Sequence, residues 1–84
     1  MSATYCFSVH TDAEPSALPR VMEVFARQGH VPTRCQAERA NLELVIDAQL
    51  DQLARGEAEH VARCLDRVVS VVQVLWSEKR RCAA

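Results

Sequence analysis

Cysteine and histidine are the residue types in this 84-residue chain that could ligate a metal, or act as a nucleophile and its base. The four cysteines stand too far apart for a Cys-x-x-Cys pair, and none flanks a histidine at zinc-finger spacing. We therefore predict no metal site and no cofactor. Because the N-terminus carries no secretory signal, we expect reduced thiols. Three of them fall inside predicted elements, where we expect them to be buried: Cys6, Cys35 and Cys64.

The spacing of these residues gives no catalytic pair. Cys6 and His10 share one face of the first predicted strand, but four residues of strand separate them by about 13 Å. A nucleophile and its base must lie within hydrogen-bond distance, so this pair is too far apart. His10 and His30 could approach each other at one end of the sheet, where Asp12 and Glu14 are the nearby acids. We predict solvated histidines, no catalytic residues and a protein that is not an enzyme.

Composition argues against two classes of partner. Ten basic and 11 acidic side chains leave a formal net charge of −1, which gives no general attraction to nucleic acid or to an anionic membrane. No stretch approaches the roughly 20 apolar residues of a membrane span, and residues 1–4 lack the pattern of a signal peptide. We therefore expect a cytoplasmic protein with no nucleic-acid and no membrane partner. The basic run at 79–81 is typical of a solvated tail.

The length of the chain sets the scale of the fold. Its 84 residues, 49% of them hydrophobic, form one domain, with a core at about residues 4–76 and a tail at residues 77–84. A chain this short leaves much of its surface exposed and is marginally stable alone. Association is a common remedy, so we expect a homodimer.

The first helix is the clearest element and spans about residues 16–28. Pro19 is tolerated only in the first turn, where its missing N–H has no intrahelical partner to lose, so Ser16 is the predicted N-cap. Gly29 supplies a left-handed stop. One apolar face of this helix, at i, i+3, i+4 and i+7, comprises Leu18, Val21, Met22 and Phe25.

Alternating apolar side chains predict four strands. In the first strand, Tyr5, Phe7 and Val9 form a buried face. The fourth strand, V-S-V-V-Q-V-L-W, is apolar on both faces, which indicates burial on both sides or one side kept for a partner. The four strands are expected at residues 4–10, 30–39, 42–48 and 69–76.

The second and third strands form an antiparallel hairpin, because only Ala40 and Asn41 connect them. Pro32 cannot donate to a ladder, so the second strand lies at an edge or starts after this residue. In the third strand, Leu42 and every second residue after it face inwards. Residues 51–56 are either a loop or an extra turn broken by a glycine, and helical periodicity returns after them.

The order β-α-β-β-α-β is the ferredoxin-like plan of the α+β class. The right-handed crossover rule puts both helices on one face of a four-stranded antiparallel sheet, with strands one and three central. The open face carries no aromatic side chain on its central strands to stack an RNA base, so a protein partner or a small ligand remains. We expect the partner-facing residues on strands two and four: Arg34, Gln36, Val72, Val74 and Trp76.

Residues 14–32, E-P-S-A-L-P-R-V-M-E-V-F-A-R-Q-G-H-V-P, resemble the start of an ACT domain. ACT domains share the β-α-β-β-α-β order, a P-G-x-L turn into the first helix and a glycine before the second strand. The stretch C-L-D-R-V-V-S-V-V-Q-V, residues 64–74, is similar to the second helix of the family running into its last strand. Within the family, the chain is most similar to the short regulatory subunits of acetohydroxyacid synthase (acetolactate synthase).

This resemblance has two departures at the ligand loop. The family's glycine before the first helix is Ser16 here, and the asparagine three residues earlier is Ala13. In members that bind an amino acid, that glycine lets the ligand approach the backbone and the asparagine bonds to it, whereas a serine side chain crowds the same space. The resemblance therefore implies the fold and a dimer more firmly than a feedback ligand.

The resemblance implies two alternative functions. The first is a regulatory module that dimerises through sheet edges and helices, and holds a catalytic large subunit active in branched-chain amino-acid biosynthesis. The alternative is a free-standing sensor that binds a small amino-acid ligand between protomers, near the N-terminus of the first helix, which favours an anion. The residues that would bind the ligand are Ala13, Glu14, Ser16, Ala17 and Leu18.

Overall fold

The computed structural model describes residues 2–79, which form one four-stranded antiparallel sheet in the order β2-β3-β1-β4. The predicted ferredoxin-like fold and its central strands one and three are confirmed. Predictions for Arg80, Arg81 and Cys82 lie outside the described residues. The elements are β1 (Ala3–Asp12), α1 (Ala17–Arg27), β2 (Arg34–Ala40), β3 (Glu43–Leu53), α2 (Arg55–Asp66) and β4 (Val71–Glu78).

One hydrophobic core lies between the helices and one face of the sheet. As predicted, Tyr5, Phe7 and Val9 are buried on this face of β1. The Phe7 ring meets the Phe25 ring of α1 edge-on, with centroids 6.3 Å apart, and stacks on the Trp76 ring of β4 at 6.4 Å. Because β1 is central, its alternate side chains contact both helices and both halves of the sheet.

The bounds of α1 follow from its proline and its glycine. Ser16 is the N-cap, Pro19 is the third helical residue, and Gly29 has a φ of +78°, as a left-handed stop requires. The expected cap from the Ser16 side chain is absent, because Ser16 itself has helical dihedrals (φ −83°, ψ −8°). Local residues therefore set where α1 begins and ends, although the Ser16 side chain does not cap its first turn.

The hairpin differs from the prediction in where each of its two strands begins. β2 begins at Arg34, after Pro32, and lies at the edge of the sheet. Asn41 turns the chain with a φ of +58°. Leu42, predicted to face inwards, is 83% exposed, because it lies in this turn before β3 begins.

The uncertain segment 51–56 is neither a loop nor a separate turn. β3 continues to Leu53, and α2 begins at Arg55, with the glycine inside its first turn. The Glu57 side chain accepts a hydrogen bond from the Ala54 N–H at 3.0 Å, which closes the start of α2. At the other end, β4 extends to Glu78, so the predicted tail begins inside the sheet.

The prediction of buried cysteines is wrong for the three that the structure describes. Cys6 and Cys64 are half-exposed, and Cys35 is exposed. Cys6 points to the open face of the sheet, and Cys35 lies on the edge strand, so neither is covered on every side. Within residues 2–79, no helix is long and apolar enough to cross a membrane.

Candidate functional site

Strand β2 is the most exposed element of the fold. All seven of its residues are exposed, on both faces of the sheet. The helices pack mainly on β1 and β4, and α1 reaches β2 at Cys35, so β2 offers most of its side chains and one row of backbone groups to solvent. An uncovered edge strand of this kind is a template for pairing with another strand.

Hydrogen bonds fix which backbone groups of β2 are free. The Ala13 N–H donates to the Leu42 carbonyl at 2.9 Å, so even-numbered residues along β3 direct their backbone groups towards β1. The backbone groups of the odd-numbered residues of β3 therefore face β2. The hydrogen bond from the Thr33 N–H to the Gln49 carbonyl (2.8 Å) agrees with this direction. In the β2–β3 register, odd residues of β3 pair with even residues of β2. The backbone groups of Cys35, Ala37 and Arg39 therefore face the free edge.

A small depression lies where the end of β2 meets the loop before α1. It measures about 220 Å³ and is lined by Ala13, Glu14, Pro15, Arg39 and Leu44. A hydrogen bond from the Glu14 N–H to the Asp12 carbonyl, at 2.9 Å, holds the loop in a tight turn. The depression thus carries one carboxylate and one guanidinium, the pair of charges that complements the ammonium and carboxylate of a free amino acid.

The five predicted ligand residues do not lie together in the structure. Ala13 and Glu14 line the depression, whereas Ser16 is the half-buried N-cap. Ala17 is fully buried, and Leu18 packs against the core. Sequence analysis missed Arg39 and Leu44. The hairpin could have predicted both residues, because a short turn at Asn41 places residue 39 opposite residue 44, beside the loop before α1.

The five predicted partner residues occupy both faces of the sheet. Arg34 and Gln36 point to the open face, where they line a depression of about 300 Å³. Val72 is 65% exposed at an irregularity in the β1–β4 pairing. Val74 and Trp76 instead pack half-buried on the core. The missed residue of the open face is Leu75, which is 51% exposed.

His10 lies at the opposite end of the sheet from the other two histidines. The Nδ1 atom of His10 lies 2.8 Å from a carboxylate oxygen of Glu43, a partner that sequence analysis missed. His30 shares a depression with His60 at the opposite end of the sheet, because α1 returns the chain to the start of β1. The predicted approach of His10 and His30 is therefore wrong. Within residues 2–79, no three His, Cys, Asp or Glu side chains are grouped to hold a metal.

Cys35 is a protected thiol rather than an activated one. Its sulfur lies 3.7 Å from the Met22 sulfur of α1. Although the residue is exposed, partial desolvation of its sulfur raises the pKa of the Cys35 thiol, and the negative charge of Asp47 raises it further. The thiol therefore stays protonated at neutral pH, whereas a nucleophilic cysteine needs a lowered pKa.

Comparisons with solved structures agree on the fold. The ACT domain from GTP pyrophosphokinase of Chlorobium tepidum is similar at a TM-score of 0.81 and 6% identity, over 92% of this chain and 100% of that one. An uncharacterised protein from Thermotoga maritima is similar at 0.77 and 11%, over 95% and 100% of the two chains. A homoserine dehydrogenase from Thiobacillus denitrificans is similar at 0.77 and 9%. There, 93% of this chain matches 17% of the enzyme.

Sequence comparison gives the family. No curated protein matches the chain by sequence. The family model for the ACT-like domain matches residues 1–82. ACT domains are regulatory, non-catalytic modules that bind ligands and are found with catalytic enzymes. Since the model spans nearly the whole chain and the fold agrees with it, this chain belongs to the ACT-like domain family.

Proposed function

We propose that this chain is a non-catalytic regulatory module that forms a homodimer and acts on a catalytic partner in amino-acid metabolism. The observation that carries the proposal is the free edge of β2, where three residues direct their backbone groups to solvent within a strand exposed on both faces. Main-chain pairing at such an edge joins two sheets without any special side chain. The small core of an 84-residue chain gives a further reason to associate.

The finer form of the proposal names the large subunit of acetohydroxyacid synthase as the catalytic partner. Its support is the resemblance of residues 14–32 and 64–74 to the short regulatory subunits of that enzyme. Neither Ser16 nor Ala13 counts against it, because activation of a partner does not require the ligand loop. The exposed residues of β2 and β4 supply surface for that contact.

Reconstitution with the synthase tests this function. The chain is mixed with purified large subunits from candidate sources, and complex formation and acetolactate production are measured. We expect a complex with raised turnover. We expect Val72→Asp to lower activation by about tenfold, since an unpaired charge in an interface is costly. Val31→Asp, at an exposed valine outside the proposed surface (86% exposed, against 65% for Val72), serves as the control. Absence of both a complex and a change in turnover would contradict the proposal.

A second candidate function, an amino-acid sensor, is favoured by the depression between Glu14 and Arg39. A ligand that binds only the folded state raises the melting temperature. We therefore expect one amino acid at millimolar concentration to stabilise the wild-type protein and not Arg39→Gln. The control variant Arg34→Gln removes the same charge from the open face of the same strand. If no amino acid shifts the melting temperature, the sensor function is wrong.

A further inference from the structure

The two helices form a groove on the side of the molecule away from the sheet. It measures about 440 Å³ and is lined by two arginines of α1, by the arginine at the C-cap of α2 and by three valines. Val69, which follows α2, is 86% exposed, although it is apolar. The groove therefore combines an apolar floor with positively charged rims. The residues of interest are Arg20, Val24, Arg27, Arg67, Val68 and Val69.

Charge is unevenly distributed along this groove. Arg27 forms an ion pair with Glu23 at 2.7 Å, which neutralises one end. Arg20 and Arg67, which line the same groove, form no ion pair with any residue between 2 and 79. The whole chain has a net charge of only −1, so these two arginines give the groove a local positive charge on a nearly neutral molecule. A carboxylate placed between two guanidinium groups would form charge-assisted hydrogen bonds.

The groove residues of α1 are spaced so that a second helix can pack along them. Arg20, Val24 and Arg27 stand at i, i+4 and i+7 along α1, so they form one stripe about 10 Å long. α1 and α2 run antiparallel, because each follows a strand of opposite direction. Two antiparallel helices side by side leave a channel into which a third helix packs, with contacts at the same i, i+4 and i+7 spacing.

We propose that this groove binds an acidic amphipathic helix of the catalytic partner. A carboxylate of that helix lies between Arg20 and Arg67, and an apolar side chain one turn away packs on Val24 and Val68. The assignment rests on the proposed function, since it names the part of the partner that the module recognises. A polypeptide fits better than a membrane or a nucleic acid, because the groove places beside its valines two arginines that form no ion pair within residues 2–79, whereas an array of phosphates needs a longer series of cations.

Two labelled synthetic helices test the groove. Both carry leucine at every fourth position. They differ only at their charged positions, which are glutamate in one helix and lysine in the other. Fluorescence anisotropy measures their binding to the full chain. We expect the glutamate helix to bind, more weakly at high salt, and the lysine helix not to bind. The double variant Arg20→Gln/Arg67→Gln should weaken binding at least about tenfold. The matched double variant Arg55→Gln/Arg63→Gln, which loses the same charge from α2 outside the groove, should change it little.

The following outcomes would overturn the proposal that the groove binds an acidic helix. Equal binding of the two helices, or equal binding of the glutamate helix to wild type and to the folded Arg20→Gln/Arg67→Gln variant, would remove its electrostatic basis. Binding to phosphatidylserine vesicles that this variant abolishes, without binding of the glutamate helix, would assign the groove to a lipid surface. Circular dichroism melting establishes that the variant is folded.

The synthase assay separates this assignment from the proposed function. The peptide measurement contains no synthase, so binding of the glutamate helix without activation of any large subunit would overturn the proposed function alone. Activation that is unchanged in Arg20→Gln/Arg67→Gln would overturn the groove assignment alone.

Discussion

At the scale of single residues, Ser70 has a buried hydroxyl that forms no hydrogen bond with any residue between 2 and 79. Its side chain is 3% exposed, in the turn between α2 and β4, while its carbonyl accepts from the Asp12 N–H at 3.0 Å. The backbone of Ser70 thus has a structural role, and its hydroxyl is desolvated without compensation.

We expect Ser70→Ala to raise the free energy of unfolding by about 1 kcal/mol, because it removes an unpaired polar group and keeps the backbone bond. Urea denaturation followed by circular dichroism measures the change. Thr11→Val is the matched control: Thr11 is equally buried, but its hydroxyl donates to the Asp12 carbonyl at 3.0 Å. This control should lower the free energy of unfolding by about 1 kcal/mol. If both variants change stability in the same direction, the account of Ser70 is wrong.

The raised pKa of Cys35 predicts a slow thiol. Asp47→Asn removes the charge that opposes ionisation, so we expect faster alkylation of Cys35 by iodoacetamide at pH 8.5, followed by peptide mass spectrometry. At a pH where the thiol is fully ionised in both proteins, the rates should converge. Asp51→Asn, another exposed carboxylate of β3, serves as the control and should not accelerate alkylation. An unchanged rate in Asp47→Asn would show that burial alone protects the thiol.

The same pKa shift contributes to the pH dependence of stability. Because the pKa of Cys35 is higher in the folded state, the folded chain keeps its proton at an alkaline pH where the unfolded chain has lost it. This contribution is present below the pKa of the unfolded thiol and is lost as the pH rises through that of the folded thiol. Cys35→Ala should therefore flatten the alkaline loss of stability.

At the scale of elements, the two glycines have opposite roles. Gly29 ends α1 with a φ of +78°, whereas Gly56 lies in the first turn of α2 without a positive φ. Neither would crowd a neighbour if it carried a Cβ atom. The difference between them is therefore purely conformational, and the same substitution tests both.

We expect Gly29→Ala to lower the free energy of unfolding by about 1 kcal/mol, because an alanine is strained in the left-handed region. Gly56→Ala should raise it by about 0.5–1 kcal/mol, since alanine loses less entropy in a helix. Thermal unfolding of the two variants and the wild type provides the comparison. Gly29→Asn should fall between the wild type and Gly29→Ala. Equal effects at the two sites would contradict the assigned dihedrals.

Local signals and long-range pairing explain which elements could be predicted. Pro19 and Gly29 determine the bounds of α1 through their own backbone chemistry, so the sequence was sufficient there. The outer end of β3 depends on its pairing with β1, whose register shifts near Ala3. No local sequence signal predicts that shift. The site shows the same division. Glu14 belongs to a loop visible in sequence, whereas Arg39 joins it only through the hairpin register.

At the scale of the whole molecule, the free edge of β2 determines how the proposed homodimer forms. The backbone groups of Ala37 face this edge, and those of Gln36 face β3. A proline would therefore remove a different backbone N–H donor at each of these two neighbouring residues. At residue 37 it removes a donor used only for pairing with a second copy, and at residue 36 it removes a donor that the sheet itself uses.

We expect the wild-type chain to sediment as a dimer whose melting temperature rises with protein concentration, because association adds to the stability of the folded state. Ala37→Pro should sediment as a folded monomer with a concentration-independent melting temperature. Gln36→Pro should instead destabilise each protomer, by on the order of 1–3 kcal/mol, since it leaves a carbonyl of β3 without its donor. If Ala37→Pro remains a dimer while its circular dichroism is unchanged, the two copies do not associate through this edge. The open face of the sheet, on which Leu75 of the edge strand β4 is exposed, would then be the next surface to test.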